Sequence, residues 1–264
     1  MIVCRSPLEI EKLRRVNQLV GSILAELKRL VEPGVTTREI DAVAEQRVRA
    51  AGAEPAFKGY HGYPATICAS VNEQVVHGIP NDRPLAEGEI VSIDMGAQLD
   101  GFFGDSAVTV PVGRVSADAS RLLRVTEEAL FRAIDTVQPG ARVSDIGAAV
   151  QQHVEAAGFS VVREFVGHGI GTSLHEEPQI ANYGPGGRGP RLAEGMVLAI
   201  EPMVNVGKPA VKVLSDGWTA VTKDSSLSAH FEHTVVVTRD GREILTLRPE
   251  DERARQLLGA AVRG

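Results

Sequence analysis

Four acidic residues and one histidine lie in segments of this chain where ionisable side chains are unusual. Asp94 lies inside the apolar run IVSIDMGA, Glu201 ends the run MVLAIE, and Glu232 begins EHTVVV. Asp105 lies in FFGDSAVTV, and His168 in the glycine-rich stretch GHGIG. Charged residues are seldom buried without a partner, and Asp is depleted in strands. These five side chains are therefore candidates for one shared site.

The hairpin signal Asp100-Gly101 predicts that Asp94 and Asp105 face the same side of a sheet. With these two residues as the turn, Asp94 pairs with Ala107, two positions from Asp105. Diagonal neighbours in an antiparallel pair lie about 7–8 Å apart. Two like charges on one face repel unless a proton or a cation lies between them. The alternatives are that the glycine before Asp105 shifts the register by a bulge, or that both are ordinary solvated strand residues.

Four carboxylates and one imidazole form a donor set typical of a divalent metal centre. Oxygen-rich sites with one nitrogen suit Mn²⁺, Fe²⁺ or Co²⁺, and also Zn²⁺. Four carboxylates exceed what a single Zn²⁺ normally takes, but they can hold two ions about 3.5–4 Å apart that activate water for hydrolysis. Taken singly, Glu201 and Glu232 could instead be charges at strand ends.

Composition narrows the class of protein. The chain has 264 residues, 43% of them hydrophobic, and a formal net charge of −6. This balance does not suggest a nucleic-acid-binding face, and no apolar run reaches the length of a membrane span. The N-terminus lacks the order of a signal peptide. The two cysteines, Cys4 and Cys68, form neither a disulfide framework nor a Cys-rich zinc site, so we expect a reducing, cytoplasmic setting.

The chain also contains an internal repeat. Residues 31–52, VEPGVTTREIDAVAEQRVRAAG, match residues 137–158, VQPGARVSDIGAAVQQHVEAAG, at many aligned positions. Pro-Gly turns between helices are common, but so many matches favour a duplication. We therefore expect residues 1–264 to form one domain with pseudo-symmetric halves of roughly 7–113 and 114–250.

Each half is predicted to begin with a pair of helices and to end in strands, which indicates an α+β fold with helices packed on a largely antiparallel sheet. The first helix of each pair covers about 7–30 or 117–136, and Thr37 and Ser144 are predicted to cap the second. The second helices should end at Gly52 and Gly158. The predicted strand segments are 66–79, 89–113, 160–170, 196–204, 217–222 and 228–246.

Together these features resemble the type I methionine aminopeptidases over nearly the whole chain. The short spacing between Glu201 and Glu232 favours type I over type II. The resemblance implies the pita-bread fold, in which two pseudo-symmetric halves of helix pairs cover an antiparallel sheet. It also implies hydrolysis of the N-terminal methionine from nascent polypeptides, with a preference for a small second residue. The segments that carry it are GYHGYPATICASVNEQVVHGIP, SIDMGAQLDGFFGDSA, GHGIGTSLHEEP, AIEPMV, DGWT and SLSAHFEHTVVVT.

The resemblance also assigns roles to residues. It implies two divalent ions (Co²⁺, Mn²⁺, Fe²⁺ or Zn²⁺) on the five candidate residues, with Asp105 and Glu232 bridging both ions. Glu201 would also act as general base and acid on the attacking water. His77 would contact the substrate near the leaving group, and His175 would hydrogen-bond the scissile peptide.

A methionine pocket is implied as well. Leu174 stands where the family usually has an aromatic residue, and Phe57 stands where a small residue is frequent. We expect the glycines at 167, 169 and 171 to let the backbone pass close to the metal, and we leave Glu176 and Glu177 out of the site. The implied pocket residues are Phe57, Tyr60, Tyr63, Cys68, His77, Leu174, His175 and Trp218.

The expected partners are nascent peptide N-termini, at the ribosome, with no nucleic-acid or membrane binding and a monomeric state.

One alternative is an X-Pro aminopeptidase or dipeptidase on the same fold, although those usually carry an extra N-terminal domain for which this chain has no room. The other is a catalytically silent pita-bread protein that binds the ribosome or RNA. All five ligand positions hold residues able to bind a metal, which argues against that reading.

Overall fold

The computed structural model describes residues 1–248, so the final part of the predicted domain, residues 249–264, lies outside the described residues. Two pairs of helices precede two groups of strands, as the repeat predicts. Helix α1 packs on α2, and α3 packs on α4. Gly52 and Gly158 follow the ends of α2 and α4 with positive φ. The helices are α1 (Pro7–Leu30), α2 (Thr37–Ala50), α3 (Ala117–Asp135) and α4 (Val143–Ala156), with a short 3-10 helix at Tyr60–Gly62.

The N-terminal cap of α2 is Thr36 rather than the predicted Thr37. The hydroxyl of Thr36 accepts a hydrogen bond from the backbone N–H of Glu39 at 3.2 Å, and the Glu39 carboxylate accepts one from the N–H of Thr36 at 2.8 Å. This reciprocal pair is a capping box. The spacing of Thr36 and Glu39 decides between two adjacent threonines.

The predicted cap of α4 is also wrong. The cap position is Arg142, and the carboxylate of Asp145 accepts a hydrogen bond from its backbone N–H at 2.7 Å. The hydroxyl of Ser144 instead accepts from the N–H of Arg188, at 2.7 Å. A contact across 44 residues therefore takes the side chain that local pattern assigned to the helix end.

Fifteen strands are present among residues 1–248, and all their pairings are antiparallel. The α+β class with antiparallel sheets is therefore confirmed. Three strands, β1, β8 and β11, lie outside the predicted segments. The strands are β1 (Glu54–Pro55), β2 (Ile67–Val71), β3 (Gln74–Val76), β4 (Ile90–Leu99), β5 (Phe102–Pro111), β6 (Ser160–Val161), β7 (Gly167–Gly169), β8 (Glu176–Ile180), β9 (Val197–Ile200), β10 (Met203–Asn205), β11 (Val211–Val213), β12 (Ala220–Thr222), β13 (Ser228–His230), β14 (His233–Thr238) and β15 (Gly241–Ile244).

Two of the sheets carry most of the site. In one, β4 lies between β1 and β2 and also pairs with β5; in the other the order is β15-β14-β9-β7-β8. Helix α1 lies on β4 and β5, and α3 contacts β5 and β9. The apolar faces of the helices and sheets meet in one large buried cluster. The helices thus cover one side of the sheets, while the equivalence of the halves 7–113 and 114–250 stays a prediction.

The β4–β5 hairpin has the predicted register. Asp94 pairs with Ala107, and Gly96 pairs with Asp105, without a bulge. Gly104 serves another purpose, because a Cβ there would lie 2.9 Å from the side-chain oxygen of Asn17 on α1. That oxygen also accepts a hydrogen bond from the backbone N–H of Asp105, at 3.3 Å. The glycine therefore permits α1 to approach the hairpin beside the candidate site.

Candidate metal and active site

All five candidate ligands line one cavity of about 170 Å³. Asp94 and Asp105 come from β4 and β5, and His168 from the middle of β7. Glu201 follows β9 directly, and Glu232 lies between β13 and β14. Side chains from within strands and from strand ends therefore converge on one cavity. Every predicted pocket residue lines the same cavity: Phe57, Tyr60, Tyr63, Cys68, His77, Leu174, His175 and Trp218.

The imidazole of His168 is oriented toward the carboxylates. Its Nε2 lies 3.5 Å from Glu201 Oε1 and 4.0 Å from Asp105 Oδ2. Its Nδ1 donates a hydrogen bond to the carbonyl oxygen of Gly169, at 2.8 Å. Because a carbonyl only accepts, the neutral ring carries its proton on Nδ1 and presents the Nε2 lone pair to the cavity. Backbone fixation of one ring nitrogen is typical of a metal-binding histidine.

The carboxylates are placed where water cannot stabilise their charge. Burial raises the pKa of Asp94 to about 7. Burial raises the pKa of Asp105 well above its usual value, and the charges of Glu232 and Asp94 raise it further. The pKa values of Glu201 and Glu232 are also raised, first by burial. So many raised values in one cavity mean that the four carboxyl groups lack nearby positive charge to stabilise their ionised forms.

The donor atoms fit a divalent cation. Ligand atoms of Asp105, His168 and Glu232 all lie within 4.8 Å of one another. One buried oxygen on each of Asp94, Asp105 and Glu232 has no hydrogen-bond partner among the described residues. Buried polar atoms are rarely left without a partner. A cation among them would satisfy these oxygens and reverse the rise in the carboxyl pKa values.

Hydroxyl groups from neighbouring strands hold the backbone of two of these residues. Ser106 donates a hydrogen bond to the carbonyl oxygen of Glu232, and Thr234 donates one to the carbonyl oxygen of Asp105, both at 2.8 Å. The partners lie 126 and 129 residues apart in sequence. Sequence reasoning missed these contacts, because no local pattern links positions so far apart.

Sequence reasoning also missed His230. This side chain is buried, and its Nε2 lies 3.7 Å from Glu201 Oε2. Burial lowers the pKa of His230 to about 3, so the ring is neutral. Its position two residues before Glu232 was the available signal, since that places the two side chains near the same sheet edge.

His175 and His77 also line the cavity. His175 Nδ1 lies 2.8 Å from the hydroxyl of Tyr60, and its ring centroid lies 4.3 Å from that of His168. Burial against these neighbours lowers the pKa of His175, although solvent reaches the ring. His77 packs edge-to-face on Phe165, and burial lowers its pKa to about 4. Both histidines are therefore neutral at pH 7.

Aromatic rings and one leucine form the apolar wall. Tyr63 and Trp218 meet edge-to-face with ring centroids 5.1 Å apart. The hydroxyl of Tyr63 donates toward the carbonyls of Ile67 and Gly78, which leaves the ring to face the cavity. Leu174 is 2% exposed and belongs to the main core. This wall suits an unbranched apolar side chain.

The glycines of the GHGIG segment lie close to neighbouring parts of the chain. A Cβ on Gly167 would lie 2.4 Å from the carbonyl oxygen of Ala199, and one on Gly169 would lie 2.3 Å from that of Glu177. A Cβ on Gly171 would lie 2.1 Å from the guanidinium of Arg5. These close approaches allow the strands and the loop to pack together, and the passage of the backbone close to a metal stays a prediction.

Comparison with known proteins supplies the family. The sequence profile of metallopeptidase family M24 matches residues 11–239. The chain belongs to this family. It is 52% identical over 246 residues to methionine aminopeptidase 1 of Bacillus subtilis (strain 168), covering 93% of this chain and 99% of that one. The crystal structure of methionine aminopeptidase from Rickettsia prowazekii superposes with a TM-score of 0.92 at 43% identity, covering 94% and 100% of the two chains.

These matches confirm the resemblance and the pita-bread fold expected of this M24 family member. The prolidase from Pyrococcus horikoshii OT3 also superposes, with a TM-score of 0.78, but at 22% identity and over 65% of its length. That likeness shows the shared fold alone, so the X-Pro alternative is not favoured. Within residues 1–248, no helix has the length and apolar character needed to cross a membrane.

Proposed function

We propose that this M24 family member hydrolyses the peptide bond after an N-terminal methionine, in a metal-dependent reaction on nascent polypeptides, with a preference for a small second residue. The observation that carries the proposal is the convergence of the five ligand-type residues and the eight pocket residues on one cavity. The relative from Bacillus subtilis, which is named methionine aminopeptidase 1, supports the same reaction.

The metal centre is proposed to hold two divalent ions. Asp94, Asp105, His168, Glu201 and Glu232 would be the ligands, and Asp105 and Glu232 would contact both ions. Four carboxylates match the negative charge that two divalent ions require, and Co²⁺, Mn²⁺, Fe²⁺ and Zn²⁺ all accept this donor set. When bound, the ions polarise the substrate carbonyl and lower the pKa of the attacking water.

Glu201 would carry the proton of the reaction. Its Oε1 lies 3.5 Å from His168 Nε2 and its Oε2 lies 3.7 Å from His230 Nε2, so the carboxylate lies between the two imidazole rings. It would take a proton from the attacking water and pass that proton to the leaving amine, as a general base that then acts as acid.

His175 would stabilise the oxygen of the scissile carbonyl. A neutral His175 that accepts from Tyr60 at Nδ1 carries its proton on Nε2, where it can donate to the substrate. The loss of one such donor typically costs about 10²–10³ in kcat. His77, which lies beside Trp218 with ring centroids 6.5 Å apart, would contact the substrate near the leaving group.

The pocket would determine which N-terminal residue enters. Phe57, Tyr63, Leu174 and Trp218 offer an apolar wall that suits the thioether, since sulfur–aromatic contacts contribute about 0.3–1.5 kcal/mol. Asp94 would lie near the free α-amine and so restrict cleavage to the end of a chain. The second substrate residue would lie at the rim, where a small side chain fits.

The cellular setting is part of the proposal. Cys4 and Cys68 are both free thiols, which fits a reducing, cytoplasmic compartment. The substrate would be met as an emerging chain at the ribosome, with the enzyme acting as a monomer.

Activity after metal reconstitution tests the function. The metal-stripped protein should be inactive, and loading with Mn²⁺, Fe²⁺, Co²⁺ or Zn²⁺ separately should restore cleavage of Met-Ala-Ser by at least one ion. Metal analysis of the active form should give two equivalents per chain. Cleavage of Ala-Pro-Ala in preference to Met-Ala-Ser would assign the X-Pro reaction instead. A protein that binds no divalent ion would be a silent binder, and the proposal would fail.

A further inference from the structure

The segment that precedes α1 is built into the loop that carries His175. The side chain of Arg5 is 5% exposed, and its guanidinium donates to the carboxylate of Glu176, the residue after His175. Glu9, on the first turn of α1, lies 3.7 Å from the same guanidinium. A buried guanidinium that donates to a carboxylate forms a charge-assisted, directional contact that holds both partners.

Glu176 passes this constraint to the loop. Its second carboxylate oxygen accepts hydrogen bonds from the backbone N–H of Ser173 at 3.0 Å and from the hydroxyl of Thr172 at 3.3 Å. One side chain therefore ties both ends of the short stretch that contains Leu174 and His175. The carboxylate of Glu176 is held by this arrangement and does not line the cavity.

Packing also holds the guanidinium of Arg5 in place. It lies against the backbone of Gly171, where a Cβ would meet its Nη2 at 2.1 Å. The backbone N–H of Arg5 donates to the carbonyl of Gly195 at 2.8 Å, and a Cβ on Gly195 would lie 2.6 Å from the carbonyl oxygen of Arg5. Gly195 stands just before β9, the strand that leads to Glu201. Arg5 thus links the loop of His175 to the strand of Glu201.

We propose that Arg5, acting through Glu176, is a positioning residue that sets where His175 lies relative to Glu201. The inference rests on the proposed function, since it assigns His175 a part in the reaction. Neither Arg5 nor Glu176 lines the cavity. The pair acts by holding the His175 loop at one distance from the cavity, and a shift of about 1 Å in a catalytic group can cost about 10²-fold in rate.

Four variants test the proposal. Arg5→Met removes the charge at similar side-chain length, and Arg5→Lys keeps the charge but replaces the guanidinium with an ammonium group. Glu176→Gln keeps the shape of the side chain but makes it a weaker hydrogen-bond acceptor. Arg14→Met is the matched control, because Arg14 is an arginine on α1 that forms a partly buried ion pair, with Glu243 at 2.8 and 3.0 Å, but does not contact the loop. The readouts are kcat and KM on Met-Ala-Ser, metal content, and amide exchange of Ser173.

The expected result is a selective loss of turnover. Arg5→Met should lower kcat by about 10- to 100-fold while KM changes by less than about threefold and metal content stays normal. Arg5→Lys and Glu176→Gln should fall between Arg5→Met and the wild type, and Arg14→Met should match the wild type. The Ser173 amide should exchange faster by about tenfold in Arg5→Met, because its hydrogen bond is loosened.

Gly171→Ala provides an independent variant that retains both charged partners. Its methyl group should displace the guanidinium and reduce kcat by about tenfold, within the range for a small misplacement. In the Arg5→Met background the same substitution should cost less than about twofold, because the clash and the pair it disrupts are then gone. If Gly171→Ala lowers kcat by the same factor in the Arg5→Met background as in the wild type, the proposal is contradicted.

Two further results would overturn the inference. One is an Arg5→Met protein whose kcat stays within about twofold of the Arg14→Met control. The other is a loss of metal in parallel with activity, which would make the pair a support of the metal centre. Failure of the proposed function is distinguishable, because the wild type would then be inactive on Met-Ala-Ser while the Ser173 exchange still reported whether Arg5 holds the loop.

Discussion

The hydroxyl of Tyr60 lies 2.8 Å from Nδ1 of His175. Burial raises the pKa of Tyr60 and lowers that of His175, so at pH 7 the phenol keeps its proton and the imidazole is neutral. With the phenol as donor in this contact, the imidazole accepts at Nδ1 and carries its own proton on Nε2. This contact joins the 3-10 helix Tyr60–Gly62 to the loop before β8, and it prepares His175 to donate toward the cavity.

Tyr60→Phe should lower kcat for Met-Ala-Ser by about five- to tenfold, because one neutral hydrogen bond that fixes the tautomer contributes about 1–1.5 kcal/mol. KM should change little, since the ring remains in the pocket wall. Steady-state kinetics measure both constants. Tyr183→Phe, at a position that does not line the cavity, is the control. An unchanged kcat in Tyr60→Phe would show that the hydroxyl does not orient His175.

Asp105→Asn should remove metal binding and activity together while the fold persists. The substitution deletes the charge of a side chain that is 4% exposed and central to the carboxylate group. Since loss of a group that only orients a ligand costs about 10- to 100-fold in metal affinity or activity, loss of a ligand should cost more than about 100-fold in activity. Metal analysis, circular dichroism and peptide hydrolysis give the three readouts.

His175→Ala is the contrasting variant for Asp105→Asn. It should keep its metal and lose about 10²–10³ in kcat, as expected for one donor to the reacting oxygen. Loss of metal in His175→Ala would move this histidine into the ligand set. Full activity of Asp105→Asn in metal-buffered solution would show that the proposed centre is not the catalytic one.

The metal-free protein should lose stability as the pH rises above about 6.5. Burial raises the pKa of Asp94 to about 7 and also raises those of Asp105, Glu201 and Glu232, so the folded state holds protons that the unfolded state releases. Stability from such groups is complete below the unfolded pKa and is lost as the pH rises through the folded pKa.

Buried histidines oppose this trend only at lower pH. The pKa values of His77, His168 and His230 are lowered to about 4, 3 and 3, so their effect raises stability with pH up to about 6.5 and then ends. Thermal unfolding of chelator-treated protein at pH 6.5 and 8.5 should therefore show a lower Tm at pH 8.5. Metal loading should restore the Tm at pH 8.5, and Asp94→Asn should reduce the difference. A Tm of the metal-free protein that rises from pH 6.5 to pH 8.5 would contradict the view that the buried carboxyl groups lack a stabilising positive charge.

Leu174→Phe should sharpen the preference for methionine over norleucine, which has the same length without the sulfur. Leu174 is buried in the cavity wall, and an aromatic ring there adds a sulfur–aromatic contact of about 0.3–1.5 kcal/mol. The ratio of kcat/KM for Met-Ala-Ser to that for norleucyl-Ala-Ser should therefore rise by up to about tenfold. A ratio that stays constant or falls would show that position 174 does not contact the thioether.

Local pattern in the sequence was sufficient for the helices and for the central hairpin. The bounds of α1 match the predicted 7–30, and the Asp100-Gly101 turn fixed the pairing of Asp94 with Ala107. A two-residue turn leaves a strand pair one register, and alternation then places Asp94 and Asp105 on one face. The unusual acids in apolar runs pointed to the cavity because burial of a charge needs a partner wherever the chain folds.

The tertiary structure alone decided the contacts that join distant segments. Strand β8 begins with two glutamates, so no apolar alternation marks it, and it forms because β7 offers its edge. The nearness of His230 to Glu201, the pairing of Arg5 with Glu176 and the packing of Gly171 depend on positions brought together by the sheets. Sequence determined which side chains could do the chemistry, because their types and local neighbours are written along the chain. Only the folded structure decided which backbone groups and which charged side chains contact each of these residues, since those contacts depend on distances in space.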